Sequence, residues 1–219
     1  KGQRIRKWVG IGEDPVNSYE VQHEWNGDYI VKDKRYALDE DYNTDYTTES
    51  VRRYYYGNGL IGQRKSGSNE YYLQNYRGDV EAIADAQGEI TERYKYTAFG
   101  VEYNQTPGNY EENDMYSFLE DYNPLRYCGE YYDNELGLIY LRARYYSPST
   151  GRFITEDPHW NATNMIYGDN NIGFPDISAV IQSSNLYVYC GNNPVNIVDR
   201  NGKTWEYFDS FLSSADQAK

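Results

Sequence analysis

The stretch from Arg126 to Pro158, RYCGEYYDNELGLIYLRARYYSPSTGRFITEDP, constrains the fold more than any other part of this chain. Tyr131-Tyr132-Asp133 runs into a short polar segment ending at Gly137, the pattern of a strand closing into a turn that needs a left-handed residue. From Leu138 to Tyr146, large apolar and aromatic residues alternate with Arg142 and Arg144, which predicts a strand. Ser147-Pro148-Ser149-Thr150-Gly151 is a second turn, Arg152 to Thr155 the next strand, and Asp157-Pro158 its stop. This is the grammar of a tyrosine-rich β-meander.

The same grammar runs through most of the chain. Alternating residues around Lys7-Trp8-Val9 and from Tyr19 to Trp25, then Asn26-Gly27-Asp28 and Tyr29 to Lys32, predict a hairpin. Val51 to Tyr56, Gly57-Asn58-Gly59 and Leu60-Ile61 predict another. Glu70 to Tyr76 and Val80 to Ala84 flank the turn Arg77-Gly78-Asp79, and Ile90 to Tyr96 follows a turn at 86–89. Toward the end, Asn185 to Cys190 and Val195 to Asp199 read as strands around the turn 191–194. Two pieces break the pattern. Residues 101–124 are polar, with a short helix expected over 111–119, and 159–184 are dense in Pro, Gly, Asn and Asp, with helical turns expected over 176–182.

Tyrosine numbers 27 against 6 Phe and 4 Trp, which suits sheets whose faces are only partly dry, because each ring buries apolar area while its hydroxyl needs a partner. The net charge of −13 argues against nucleic acid or an anionic membrane as a partner, and solubility is its simplest reading. No apolar run is long enough to span a membrane, and the N-terminus KGQRIRKWVG has no leader-like segment. The chain does not begin with Met and is expected to be a fragment of something longer. Cys128 and Cys190 have no CxxC partner, so each reads as a small buried hydrophobe, with a disulfide as the alternative. Asp39, Asp41, Asn43 and Asp45 alternate like the start of a calcium loop. Thr44 and Ser50 stand where that loop needs Gly and Glu, so an exposed polar loop is the expectation. Asn161-Ala162-Thr163 is a glycosylation sequon only in a eukaryotic source. No metal or cofactor site is expected from His23 and His159, which stand isolated.

GEYYDNELGLIYLRARYYSPSTGRFITEDP resembles the core module that closes the β-shell of RHS/YD-repeat proteins, and NLYVYCGNNPVNIVDRNG (Asn185 to Gly202) is similar to the plug that follows it. YYYGNGLIG (Tyr54 to Gly62) and Tyr72 to Gly100 look like degenerate YD repeats, with Thr97 where the family has Asp. The resemblance implies a mainly β fold, antiparallel hairpin repeats winding into a curved or spiralling sheet with small helical turns. It implies YD-like hairpins over 1–100, a polar linker or loop at 101–124, the core and plug at 125–203, and the start of a C-terminal region at 204–219.

Many members of that family cut their own chain after the core, by chemistry resembling an aspartyl protease: two carboxylates share a proton, one activates water, and an Arg tunes the charge. The cleavage motif is Pro, four residues, Asp-Pro, any residue, Gly-Leu. Here Pro194 to Asp199 is followed by Arg200-Asn201-Gly202-Lys203, so Arg200 replaces Pro, Lys203 replaces Leu, and Ser147 replaces an Asp of the family's RYYDP. Asp157 and Asp199 remain as the carboxylate pair, Arg152 is named with them and Arg144 also survives, and Gly202-Lys203 is the cleavage region. Against this stands the ordinary habit of Asp in turns. Arg142, Arg144 and Arg152 amid tyrosines read more simply as cation–π glue.

The leading expectation is a secreted or cell-surface bacterial shell that encloses its own C-terminal toxin, with a surface or immunity protein as a further partner. The alternatives are a cell-surface adhesin whose tyrosines and tryptophans stack on sugars, and a self-assembling extracellular fibre.

Overall fold

The computed structural model describes residues 3–11, 14–39, 41, 43–103, 123–170 and 173–207. Two compact units form, one from Lys1–Lys95 with Glu102–Gly129, the other from Tyr96–Val101 with Glu130–Lys219. The fold is mainly antiparallel β, as the sequence predicts.

In the first unit, eight strands lie side by side in chain order: β1 (Arg6–Ile11), β2 (Asp14–Asn26), β3 (Tyr29–Leu38), β4 (Thr44–Gly57), β5 (Gly59–Lys65), β6 (Ser68–Gln74), β7 (Val80–Ala84) and β8 (Ile90–Arg93). The turns at Gly27-Asp28, Asn58 and 75–79 fall where the sequence predicts them, while the Ser66-Gly67 turn between β5 and β6 is not among those expected, although Ser-Gly is itself a turn signal. Register shifts interrupt every pair except β5–β6, and each such bulge bends its strand and adds twist. The sheet stays open.

One face of this sheet is dry. Tyr54 stands opposite Gln63 and Tyr72 opposite Ile83, the two pairs lying on one face of β4 to β7 and offset by two residues between β5 and β6, and all four are buried. Because tyrosine replaces leucine here, the dry face must satisfy hydroxyls. Tyr54 Oη donates to Asp33 Oδ2 at 2.8 Å, and His23 Nδ1 lies 2.6 Å from Asp33 Oδ1. Burial alone would raise Asp33, but the bonds from His23 and Tyr54 hold it below the ordinary carboxylate range. The segment 123–129 lies on the same face. Asn123 meets Tyr72 Oη at 2.8 Å, and Asp79 Oδ1 accepts the Cys128 N–H at 2.8 Å. Arg77 and Asp79, in the turn expected from the sequence, form a buried ion pair at 2.6 Å.

In the second unit, β9 (Tyr131–Asp133), β10 (Leu138–Leu141), β11 (Arg144–Ser147) and β12 (Arg152–Phe153) form a four-stranded meander, and β13 (Ile197–Val198) pairs with β14 (Glu206–Tyr207). Tyr146 is its centre: fully buried, 4.0 Å from the Tyr189 ring, with its hydroxyl donating to Phe99 O at 2.7 Å. Helix α1 (Ile177–Ser183) starts at Asp176, whose Oδ1 accepts from Ser178 N and Ala179 N. Three local expectations need correction. The run Leu138 to Tyr146 is two strands, because Arg142 takes φ +56° and turns the chain within two residues. Asn185 to Cys190 is no strand: only Val188 pairs, with Arg152, and Cys190 at φ +50° starts a tight 3-10 turn. Within 195–199 only Ile197–Val198 is strand.

Both cysteines are buried and unbridged. Asp39 Oδ1 accepts the Asp41 and Asn43 N–H groups, as in an ordinary polar turn, but Asp45 and Ser50, expected in an exposed loop, belong to β4 and pair with Ala37 and Arg35 of β3. Among the described residues no group of His, Cys, Asp or Glu has the geometry to hold a metal. The expected helix at 111–119 lies outside the described residues.

Candidate functional site

The turn between β10 and β11 is the base of the site. Three successive residues there donate to three successive carbonyls of the chain at 200–202: Arg142 Nη1 to Arg200 O, Ala143 N to Asn201 O at 3.3 Å, and Arg144 Nε to Gly202 O. Arg142 is also tied to Glu130 at 2.5 Å. Gly202 sits so close that an added Cβ would lie 2.4 Å from Leu141 O, and at its φ of +70° any side chain would be strained besides.

Arg144 projects from β11 on the same side as Tyr146 and Phe153, with its guanidinium carbon 3.4 Å from the centroid of the Phe153 ring. Its Nη2 reaches Asp157 Oδ2 at 2.8 Å and Asp199 Oδ2 at 3.2 Å. The sequence-named pair therefore does come together, on one nitrogen atom. Arg152 does not join it. Arg152 pairs with Ser147, one residue out of step with Tyr146–Phe153, so it points to the opposite face, is exposed, and bonds Asn185 Oδ1 at 2.9 Å. The arginine that meets both aspartates is Arg144. The expected cation–π contact of Arg144 is present too, on Phe153 in place of a tyrosine.

Turn capping occupies only one oxygen of each aspartate. Asp157 Oδ1 accepts the His159 N–H at 2.9 Å, and Asp199 Oδ1 accepts Gly202 N at 2.8 Å and Lys203 N at 3.2 Å. The other oxygen of each is left for Arg144. One guanidinium cannot neutralise two buried carboxylates, so the cluster favours taking up a proton. Burial pushes Asp199 up to about 7, against the pull of Arg144 and the two backbone N–H groups, and burial raises Asp157 too.

The Gly202–Lys203 peptide is thereby bracketed: its carbonyl oxygen takes a cationic donor, and its N–H points at a carboxylate of raised pKa. Sequence reasoning missed Arg142 and Ala143, since a two-residue turn without Gly, Asn, Asp or Pro gives no signal. Ser147, in the place of the family's Asp, lies 3.1 Å from Ser149 Oγ.

No family model matches the chain. It is 32% identical over 204 residues to the tRNA3(Ser)-specific nuclease WapA of Bacillus spizizenii, a match covering 92% of this chain and 7% of that protein. It is 32% identical over 103 residues to double-stranded DNA deaminase toxin A of Burkholderia cenocepacia, covering 45% of this chain and 7% of the toxin. Salivary gland surface protein 1 of Aedes aegypti is 26% identical over 206 residues, 93% of this chain and 5% of that protein. Among solved structures, TcdB2-TccC3 without its hypervariable C-terminal region superposes with a TM-score of 0.62 at 22% identity, over 92% of this chain and 8% of that one. The Photorhabdus luminescens Tc holotoxin pore superposes with a TM-score of 0.63 at 21% identity, with the same coverage. The chain thus spans less than a tenth of each of these proteins. It is related to a stretch found in nuclease and deaminase toxins, and it shares the fold of the TcdB2-TccC3 structures. No helix among the described residues is long and apolar enough to cross a membrane.

Proposed function

We propose that this chain is the closing segment of an RHS-type β-shell in a secreted or delivered bacterial toxin, and that it cuts its own backbone once, between Gly202 and Lys203. In this reading the hairpins of 1–100 are wall, 101–124 connects, 125–203 shuts the shell, and 204–219 begins the enclosed toxin. The observation that carries it is the bracketing of one peptide bond by Arg144 and Asp199, with Asp157 on the same guanidinium.

The chemistry follows from those positions. The ionised member of the pair takes a proton from water as its oxygen attacks the Gly202 carbonyl carbon. Arg144 Nε carries the charge that develops on the carbonyl oxygen. The protonated member gives its proton to Lys203 N as the C–N bond breaks, leaving a Gly202 carboxylate and a Lys203 amine. Lys203 takes no part beyond supplying the leaving nitrogen, so its replacement of Leu does not block the reaction.

Intact-mass measurement on the chain expressed with its natural downstream sequence tests this. A fragment ending at Gly202 is expected, and is expected to vanish in Asp157→Asn and in Asp199→Asn. Cleavage that persists in both variants, or at another bond, would overturn the assignment.

A further inference from the structure

The other face of the eight-stranded sheet carries a different chemistry, and the shell reading does not use it. Tyr55, Gly62 and Tyr71 stand directly opposite one another across β4, β5 and β6. One step along the same strands and on the same face, Arg53 stands directly opposite Arg64. Both tyrosines are nearly half exposed, and both arginines are exposed. We infer that this face is a binding site for an acidic oligosaccharide: the two tyrosines flank a sugar ring over the glycine, and the two arginines hold its carboxylate.

The slot is fixed by the backbone. A Cβ on Gly62 would sit 2.5 Å from Glu70 O, so the position between the tyrosines stays without a side chain. Tyr55 and Tyr71 are two strands apart, about 9.5 Å. With both rings upright on the sheet, two van der Waals contacts of about 3.5–4 Å each fill most of that gap. The remainder, about 2 Å, suits a puckered pyranose better than a flat base.

Charge selects the acid. Like charges directly opposite on neighbouring strands destabilise a sheet. Lys32, next in the row, is relieved by Glu24 at 2.5 Å. Among the described residues neither Arg53 nor Arg64 has such a partner. A bound carboxylate between the two guanidinium groups supplies one. The rest of the chain is strongly acidic, at −13, so attraction for an anion is confined to these two arginines, and the puckered ring that the slot accepts makes a sugar acid the fitting ligand. Nor is access blocked by the segment 123–129, which covers the opposite face through Tyr72 and Asn123.

Titration calorimetry of the full chain with oligogalacturonate, neutral maltohexaose and hexauridylate is the test. Oligogalacturonate is expected to bind, and to bind more weakly as NaCl is added. Arg53→Gln, Arg64→Gln and Tyr71→Ser are each expected to weaken it about tenfold. All three positions are exposed, so unchanged thermal melts will separate lost binding from lost fold. Absence of binding, equal binding of maltohexaose, preference for hexauridylate, or folded variants that bind like the parent would each overturn the inference.

Discussion

Asp199 is where a single residue's environment has the widest consequence. Its carboxyl is buried to 1% exposure, and burial lifts it to about 7 although three donors favour the ionised form. A carboxyl whose folded pKa exceeds its unfolded value of about 4 binds its proton more tightly when folded. Its contribution to stability is therefore complete below about pH 4 and is lost as pH rises through about 7. The loss is on the order of a few kcal/mol. Asp33 works the other way, contributing above its unfolded pKa and losing that contribution in acid, so total stability mixes the two. Subtracting Asp199→Asn from the parent isolates the term. Urea midpoints should diverge between pH 4 and 7.5, with the parent losing more stability on the alkaline side. A constant difference across that range would mean Asp199 is ionised throughout. The same proton is the one the proposed cleavage needs, so its rate should fall above about pH 7.

At the scale of elements, the site is made by a turn rather than by a strand. Arg142 and Ala143 double the chain back, and their donors, with that of Arg144, fix 200–202 against the turn. Replacing Gly202 by Ala places a methyl 2.4 Å from Leu141 O at a φ of +70°, so the segment must lift away. We expect Gly202→Ala to cost at least about 2 kcal/mol in urea unfolding and to abolish the cut at Gly202–Lys203. Retained stability together with retained cleavage would show that the turn does not position the peptide. This turn also marks the limit of what the sequence disclosed. Asn26-Gly27 and Gly57-Asn58-Gly59 announce their hairpins through residues that tolerate positive φ, and the ordered meander follows from them. At Arg142, an ordinary side chain takes the same conformation because Glu130 and the Arg200 carbonyl hold its guanidinium, a tertiary reason invisible to local pattern. Arg152 stands apart from the two aspartates for a related cause. Register decides which face an arginine occupies, and one residue of offset between β11 and β12 turned Arg152 outward. The pairing of Asp157 with Asp199 was legible only through the family resemblance, since 41 residues separate them in sequence.

For the molecule as a whole, the open edges of the large sheet decide its behaviour in isolation. Among the described residues β1 pairs only with β2 and β8 only with β7, so each presents a row of backbone donors and acceptors on its outer side. Charged side chains such as Arg6 and Lys7 on β1, and Glu92 and Arg93 on β8, blunt such edges without closing them. In a wall assembled from successive hairpins, the neighbouring turns of sheet would take up both rows. In the proposed shell that neighbouring chain lies outside these 219 residues, as it does in the Bacillus spizizenii relative, which is more than ten times longer than the match. Expressed alone, these 219 residues should therefore associate edge to edge as concentration rises, whereas a protein carrying the natural flanking sequence should stay monomeric at the same concentration. Light scattering across a concentration series distinguishes the cases. Association equal in both would point to the exposed apolar residues around α1, Phe174 and Ile177 among them, as the sticky surface instead of the strand edges. A strictly monomeric isolated chain would mean that charge on β1 and β8 suffices to protect the sheet, and that the wall needs a stronger joint than backbone pairing.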